Sequence, residues 1–130
     1  MKIAIVGSRK FNDYELLKNV VKDYIVKYNC VNITIVSGGA KGADTLAEHF
    51  AKEFNLEMKI FHPDWEQLGR DACSTRNTQI VAFSDIVFAF WDGTSPGTKD
   101  SITKAKQMKK QLINTKYSST RTFRRNKEND

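Results

Sequence analysis

The chain is poor in cysteine and has no long apolar run. Its 130 residues include two cysteines, Cys30 and Cys73, which form neither a metal-binding nor a redox spacing. This usage indicates a reduced, cytosolic setting. No apolar run approaches the ~20 residues that a membrane-spanning helix needs, and the short run after Met1 is not a signal peptide. We therefore expect a cytoplasmic protein with no membrane partner.

Recognisable catalytic and metal-binding patterns are also missing. No Ser/His/Asp or Cys/His arrangement stands out, no metal-ligand spacing exists, and the chain has no internal repeats. We expect no bound metal and no resident cofactor. Any chemistry must therefore come from glycine-rich turns, arginines and carboxylates.

Segments of strand and helix pattern alternate along the chain. A chain of 130 residues forms one domain with a sizeable core. Strands are predicted at 2–7, 33–36, 58–61 and 85–91, with a weak fifth near 112–113, and helices fill the intervals. This alternation predicts an α/β fold with a parallel sheet of four to five strands and helices on both faces, in three layers.

Positive charge is concentrated at the C-terminal end. The net charge is +6, but residues 104–130 carry nine Lys/Arg and two Asp/Glu, hence 9 − 2 = +7. The remainder is close to neutral. We predict a folded domain at 1–114 and a basic, flexible tail at 115–130. Such a tail is more often a solvated end than a nucleic-acid contact, and both interpretations stay open.

The most informative stretch is the glycine-rich turn at 37–44, which joins a buried strand to a helix. Such a turn brings backbone N–H groups close to an anion at a helix N-terminus. Its G-G-x-x-G spacing matches neither the dinucleotide fingerprint nor a P-loop. We predict a phosphate site here, the alternative being a plain tight turn; Asp44 would hold a ribose hydroxyl or complement the helix dipole. The binding residues assigned are Ser37, Gly38, Gly39, Ala40, Gly42 and Asp44.

Other polar segments are predicted to share one sheet edge with this turn. Right-handed crossovers bring the strand-to-helix loops together at the edge where ligands bind in open parallel sheets. Hydroxyls and N–H groups of the loop before the fourth helix would form a second anion cradle, and the arginines would pair with phosphate. Each segment also has the plainer interpretation of a surface loop or solvated side chain. The binding residues assigned are Gly7, Ser8, Arg9, Asp64, Arg76, Asn77, Gly93, Thr94, Gly97 and Thr98.

These motifs, in this order, resemble the YspA-type branch of the SLOG superfamily, which groups the Smf/DprA proteins with the LOG enzymes. The resemblance rests on Gly7-Ser8-Arg9, the turn at 37–44, Asp64-Trp65, Gly69-Arg70, Arg76-Asn77 and Gly97-Thr98. It covers residues 1 to about 108. It implies a single Rossmann-like domain that binds nucleotides or nucleotide-derived ligands, and it suggests a homodimer by analogy.

Two groups of relatives imply different activities. LOG enzymes cut the N-glycosidic bond of nucleoside monophosphates with an arginine and a glutamate; Arg76 matches the arginine, but Ser101 stands at the glutamate position. If the protein is an enzyme, Arg76 with Asp100 or Asp92 would be catalytic. DprA proteins share the Gly-Ser-Arg and Ser-Gly-Gly-Ala motifs and bind single-stranded DNA, which the basic tail would suit.

The leading hypothesis is a binding module that senses or sequesters a nucleotide-derived, phosphate-bearing small molecule. N-glycoside hydrolysis of nucleotides is the second hypothesis, and single-stranded DNA binding through the tail is the third.

Overall fold

A computed structural model describes residues 1–118 of the chain. Strands and helices alternate from Lys2 to Lys116, except that two helices lie between β3 and β4. A single 3-10 turn, Gly69–Asp71, joins the third and fourth helices. The elements are β1 (Lys2–Gly7), α1 (Tyr14–Lys27), β2 (Thr34–Ser37), α2 (Ala43–Glu53), β3 (Glu57–Ile60), α3 (Trp65–Leu68), α4 (Ala72–Phe83), β4 (Ile86–Trp91), α5 (Pro96–Gln107) and β5 (Gln111–Lys116).

The five strands form one parallel sheet in the order β3-β2-β1-β4-β5. β1 lies at the centre and pairs with β2 on one side and β4 on the other. After β3 the chain crosses back over β1 to begin β4, so the direction of winding reverses between β1 and β4. Ligands of open parallel sheets bind beside such a reversal, at the carboxyl ends of the strands.

Alternate side chains of each strand enter separate cores on the two faces of the sheet, as the period of two requires. Ile3 and Ile5 of β1 pack in the core formed with α1 and α2. Ala4 and Val6 pack in the other core, beneath α4 and α5. Strands covered on both faces read as continuous apolar runs, which is why β1 and β4 were the easiest to predict.

The predicted α/β fold with helices on both faces is confirmed, and the sheet has five strands. α4 has the bounds that the sequence indicated. α5 begins earlier than predicted, at Pro96, because proline suits the first position of a helix. Gly97 and Thr98 therefore lie in the first turn of α5, not in the loop before it. The segment after Asp64, predicted as loop, contains the short helix α3, whose first turn Asp64 caps through the Gln67 N–H.

β5 crosses the predicted boundary between domain and tail. Thr115 and Lys116 pair with Phe90 and Trp91 of β4, and the Tyr117 N–H donates to the Trp91 carbonyl at 2.9 Å. These three residues, assigned to the tail from the sequence, thus belong to the sheet or continue from it. The rest of the predicted tail, residues 119–130, lies outside the described residues.

Residues 1–118 contain neither a helix that could span a membrane nor a cluster of metal-binding side chains. No helix there has the length and apolar character needed to cross a bilayer. Within the same range, no group of three or more His, Cys, Asp or Glu side chains is arranged to hold a metal ion.

Candidate functional site

A cavity of about 540 Å³ lies where the winding reverses, at the carboxyl ends of β1 and β4. It receives residues from the loop after β1, the start of α2, one side of α4 and the first turn of α5. Those predicted from the sequence are Gly7, Ser8, Arg9, Ala40, Asp44, Arg76, Asn77, Asp92, Thr94, Gly97 and Thr98.

Other predicted site residues do not line this cavity. Most of the glycine turn lies outside the lining, and Asp64 is the N-cap of α3. The residues in this group are Ser37, Gly38, Gly39, Gly42, Asp64, Gly93 and Asp100.

Several lining residues were not assigned to the site from the sequence. Cys73 and Ile80 lie three residues before and four after Arg76, so helical spacing from that arginine could have indicated both. Lys10 directly follows the Gly7-Ser8-Arg9 motif. The full set is Val6, Lys10, Cys73, Ile80, Ser95, Pro96 and Ser101.

The glycine-rich turn is shaped by close backbone packing. Gly42 has φ +75°, and a side chain there would meet the carbonyl oxygens of Ser8 and Arg9. Gly39 has φ +71°, and a Cβ there would lie 2.9 Å from the His62 ring. These glycines let α2 begin directly against the loop after β1.

Two N–H groups of this turn donate hydrogen bonds to side chains of the protein itself. The Ala40 N–H donates to Asp44 Oδ2 at 3.0 Å, and the Gly39 N–H donates to Ser37 Oγ at 3.4 Å. Asp44 is 8% exposed; burial raises the pKa of its carboxyl group, against the opposing effects of the Ala40 N–H and the Arg76 charge. Two N–H groups of the predicted phosphate cradle, those of Gly39 and Ala40, are thus engaged within the protein. Ala40 lines the cavity, whereas the three glycines of the turn do not.

Arg76 and Asn77 connect the glycine turn to α5. Arg76 Nη1 donates to the Gly38 carbonyl at 2.7 Å, and its Nε donates to Asn77 Oδ1 at 3.1 Å. Asn77 Nδ2 donates in turn to Asp100 Oδ2 at 3.0 Å and to the Gly97 carbonyl at 3.4 Å. Asn77 is 7% exposed, and both ends of its amide are used within the protein. It therefore positions α5 relative to α4.

Asp92 organises the loop between β4 and α5. Its Oδ1 accepts from the N–H groups of Thr94 at 2.9 Å and Ser95 at 2.8 Å, and its Oδ2 accepts from Ser95 Oγ at 2.7 Å. Partial burial acts to raise the pKa of Asp92, but these hydrogen bonds outweigh it and lower the pKa to about 2. Asp92 is therefore ionised at neutral pH and shapes the loop, so it does not suit the role of general acid.

The first turn of α5 has no side-chain cap for its N–H groups among the described residues. Its N-cap, Ser95, makes no side-chain capping hydrogen bond to the helix, since the Ser95 hydroxyl donates to Asp92 instead. Pro96 has no N–H, so Gly97 and Thr98 present the first two donors, and both line the cavity. The helix dipole favours an anion at this position.

Ser8 adds a buried hydroxyl to the same cavity. The residue is 3% exposed, and within the described chain its Oγ has no hydrogen-bond partner. Buried hydroxyls are normally satisfied. Arg9, Lys10 and Arg76 bring positive charge to the lining, so the arrangement can bind an anion through main-chain N–H groups, a hydroxyl and cationic side chains.

Asp100, a candidate catalytic carboxylate, lies outside the cavity lining. Its Oδ2 accepts from Lys104 Nζ at 2.9 Å as well as from Asn77. Ser101 does line the cavity, but its hydroxyl donates back to the Gly97 carbonyl at 3.4 Å. Arg76 is the candidate catalytic residue that combines a place in the lining with a charge suited to phosphate.

Comparison with known proteins assigns the family. The profile of the YspA, cpYpsA-related SLOG family matches residues 1–68. The Gene 61 protein of Mycobacterium phage D29 is 30% identical over 119 residues, which covers 87% of this chain and 94% of that protein. The chain belongs to the YspA, cpYpsA-related SLOG family. The resemblance of the sequence motifs to this branch is thus confirmed.

Solved structures share the SLOG fold at low sequence identity. DNA processing protein A from Helicobacter pylori, studied for its binding of single-stranded DNA, is 20% identical with a TM-score of 0.68, over 98% of this chain and 73% of that one. The molybdenum cofactor carrier protein of Chlamydomonas reinhardtii is 17% identical with a TM-score of 0.63, over 98% of this chain and 86% of that one. These matches support the Rossmann-like fold.

Proposed function

We propose that this SLOG protein binds a nucleotide-derived, phosphate-bearing small molecule in the cavity between β1, α4 and α5, and acts as a sensor or a sequestering protein. The observation that carries the proposal is the meeting of two kinds of unused donor in one cavity. These are the first-turn N–H groups of α5 and the buried hydroxyl of Ser8. Neither is satisfied by a side chain among the described residues.

The phosphate would lie on the N–H groups of Gly97 and Thr98, with Ser8 donating from the β1 side. Of the two turns that the sequence favoured for phosphate, the one leading into α5 is preferred, because the Gly39 and Ala40 N–H groups of the other turn donate to Ser37 and Asp44. Arg9 and Lys10 would neutralise the phosphate from the rim, and Arg76 from the α4 wall. Asp44 lines the cavity, where it would accept a hydrogen bond from a sugar hydroxyl.

A thermal-shift screen against mono-, di- and cyclic nucleotides and ADP-ribose tests the proposal. A ligand at 100 times its dissociation constant adds ~2.7 kcal/mol to the free energy of unfolding, which raises the melting temperature by several degrees. Arg9→Glu should reduce this shift because it places a like charge beside the phosphate. Lys22→Glu, an equal charge change on the exposed side of α1, should leave it unchanged.

Two results would contradict the proposal. One is the absence of any shift across the whole panel. The other is a shift that Lys22→Glu reduces as strongly as Arg9→Glu, because the ligand would then respond to overall charge and not to this cavity.

N-glycoside hydrolysis has weaker support in the geometry. The position of the LOG glutamate is Ser101, Asp100 faces Lys104, and Asp92 is held by the loop that follows it. Incubation with a nucleoside monophosphate panel would detect this activity as release of free base. Base release that disappears in Arg76→Ala would replace the binding proposal with an enzymatic one.

Binding of single-stranded DNA is suggested by the likeness to DNA processing protein A, which at 20% identity supports the fold alone. Removal of residues 119–130 takes away four Lys/Arg and two Asp/Glu. If the tail binds DNA, affinity for an oligothymidine should fall steeply with salt and fall again on this truncation. Equal affinities of the full and shortened chains would remove this function.

A further inference from the structure

Ser8 and Tyr117 bring two unpaired hydroxyl groups together beside the cavity. Both oxygens are buried, and neither makes a hydrogen bond within the described part of the protein. Both residues contact Phe11, whose N–H donates to the Ser8 carbonyl and whose ring packs on the Tyr117 ring. Burial raises the pKa of the Tyr117 phenol, and the Ser8 hydroxyl opposes that rise. These residues are 109 positions apart in the sequence, so the fold alone creates the pair.

Tyr117 is held firmly in this place. Its N–H donates to the Trp91 carbonyl at 2.9 Å, directly after the last residue pair between β4 and β5. Its ring packs edge-on against Phe11, with centroids 4.8 Å apart, and Phe11 stacks on Phe90 at 5.0 Å. The Phe11 N–H donates to the Ser8 carbonyl at 3.1 Å. The tyrosine ring and the serine backbone are therefore fixed through the same phenylalanine.

The chemistry of the two hydroxyls indicates how they would be satisfied. A serine hydroxyl donates one hydrogen and accepts through its oxygen, and a phenol does the same. When Ser8 donates to an anionic oxygen, its own oxygen becomes a better acceptor for the Tyr117 hydrogen, because linked hydrogen bonds polarise one another. A ligand anion on the first turn of α5 would thus give both hydroxyl groups a hydrogen-bond partner.

We propose that Tyr117 and Ser8 form a two-hydroxyl relay that recognises a phosphate oxygen, with Ser8 contacting the ligand and Tyr117 acting as its positioning residue. This inference rests on the proposed function, because it needs an anion in the cavity. It extends the site to the end of β5, a part of the chain that the sequence assigned to the tail. The chemical class recognised is a phosphate monoester or inorganic phosphate.

A double-mutant cycle tests the relay with AMP and inorganic phosphate as probes. Dissociation constants are measured for the full-length wild type, Ser8→Ala, Tyr117→Phe and the double variant. We expect Ser8→Ala to weaken AMP binding about tenfold and Tyr117→Phe about fivefold, in the range of single hydrogen bonds to charged and neutral partners. The double variant should bind no more weakly than Ser8→Ala, because Tyr117 acts through Ser8.

Two further measurements separate positioning from a structural role. Tyr24→Phe is the matched control: it removes a hydroxyl that donates to Gln111 at 2.9 Å, from a ring that also packs edge-on against a phenylalanine. It should leave AMP affinity unchanged. Tyr117→Phe should leave the stability of the ligand-free protein equal or raised, since it removes an unpaired buried hydroxyl, whereas a structural role would lower that stability.

The possible outcomes are distinct. If the wild type binds neither AMP nor phosphate, the proposed function fails for these probes and the relay fails with it. If the wild type binds and Tyr117→Phe binds equally well, or if the two single effects add in the double variant, the relay alone is overturned.

Discussion

Asp44, Asp92 and Asn77 were assigned to the site from the sequence, and each also makes hydrogen bonds within the protein. Asp44 binds the turn that precedes it, Asp92 binds the loop that follows it, and Asn77 joins two helices. Short polar side chains often bond nearby backbone in this way. The residues whose donors remain open, Ser8 and the first turn of α5, are therefore the better binding candidates.

Gly42 and Gly97 should respond oppositely to alanine. Gly42→Ala puts a Cβ against two carbonyl oxygens at a positive φ, so we expect a loss of about 3 kcal/mol in the free energy of unfolding. A Cβ at Gly97 meets nothing within 4 Å, and alanine is the better helix former, so Gly97→Ala should be neutral or up to about 1 kcal/mol stabilising. Urea denaturation measures both, and equal effects would contradict the geometry described.

Asp92 should make stability depend on acidity. Its pKa in the folded protein is lowered from 3.8 to about 2. The charged carboxylate therefore stabilises the fold at pH values above 3.8, and this stabilisation is lost as the pH falls toward 2. Since solvent partly screens the side chain, we expect the charge to contribute about 1 kcal/mol to the free energy of unfolding. Asp92→Asn should thus lower stability at pH 7 and differ little from the wild type near pH 2.

Urea titrations between pH 7 and the lowest pH at which the wild type stays folded would measure this difference. Asp23→Asn, at an exposed position of α1, is the control for the loss of one negative charge. A wild-type advantage that grows toward acid would refute the role given to the Asp92 carboxylate.

At the scale of elements, a distant segment determined β5, whereas local contacts determined the start of α5. Leu112 and Ile113 are a weak strand signal, yet six residues of this segment pair with β4. The start of α5 is set by Pro96 and by the Asp92 loop that leads into it. Helix α4 has a poor apolar period because Arg76 and Asn77 face the site and α5, yet the range 72–83 predicted for it from the sequence matches the structure.

Lys104 joins α4 to α5 and should matter for their packing. Its Nζ donates to the Ser74 carbonyl at 2.6 Å, to Ser74 Oγ at 2.8 Å and to Asp100 Oδ2 at 2.9 Å. Lys104→Met keeps the apolar stem but loses these bonds, so we expect a loss of about 1–2 kcal/mol. Lys106→Met, at an exposed position of the same helix, should change stability by less than about 0.5 kcal/mol. Chemical denaturation of the two variants tests this, and equal losses would exclude a specific bridge.

At the scale of the whole molecule, the domain extends past the boundary predicted at residue 114. The last strand, β5, pairs with β4 as far as Lys116, and the ring of Tyr117 packs on Phe11. The family profile covers the first half of the chain, residues 1–68, whereas the cavity is completed by α4 and α5 in the second half. Binding at this site thus requires both halves to be folded together.

Truncation would locate the end of the folded domain. A chain ending at Ser118 keeps every contact described here and serves as the reference. A chain ending at Asn114 loses the last pairs of β5 and the Tyr117 ring, so we expect at least about 2 kcal/mol less stability. Near-equal stability of the two shortened chains would place the boundary where the sequence suggested.

The sequence by itself determined the alternation of strands and helices, the parallel sheet, the family and the edge at which a site should form. Those features follow from local patterns and from motifs that are contiguous in the chain. Only the tertiary structure decided which donors remain available, because a hydrogen bond from Ala40 to Asp44, or from Arg76 to Gly38, depends on atoms that folding brings together. For the same reason the sequence did not reveal that Tyr117 and Ser8 both contact Phe11.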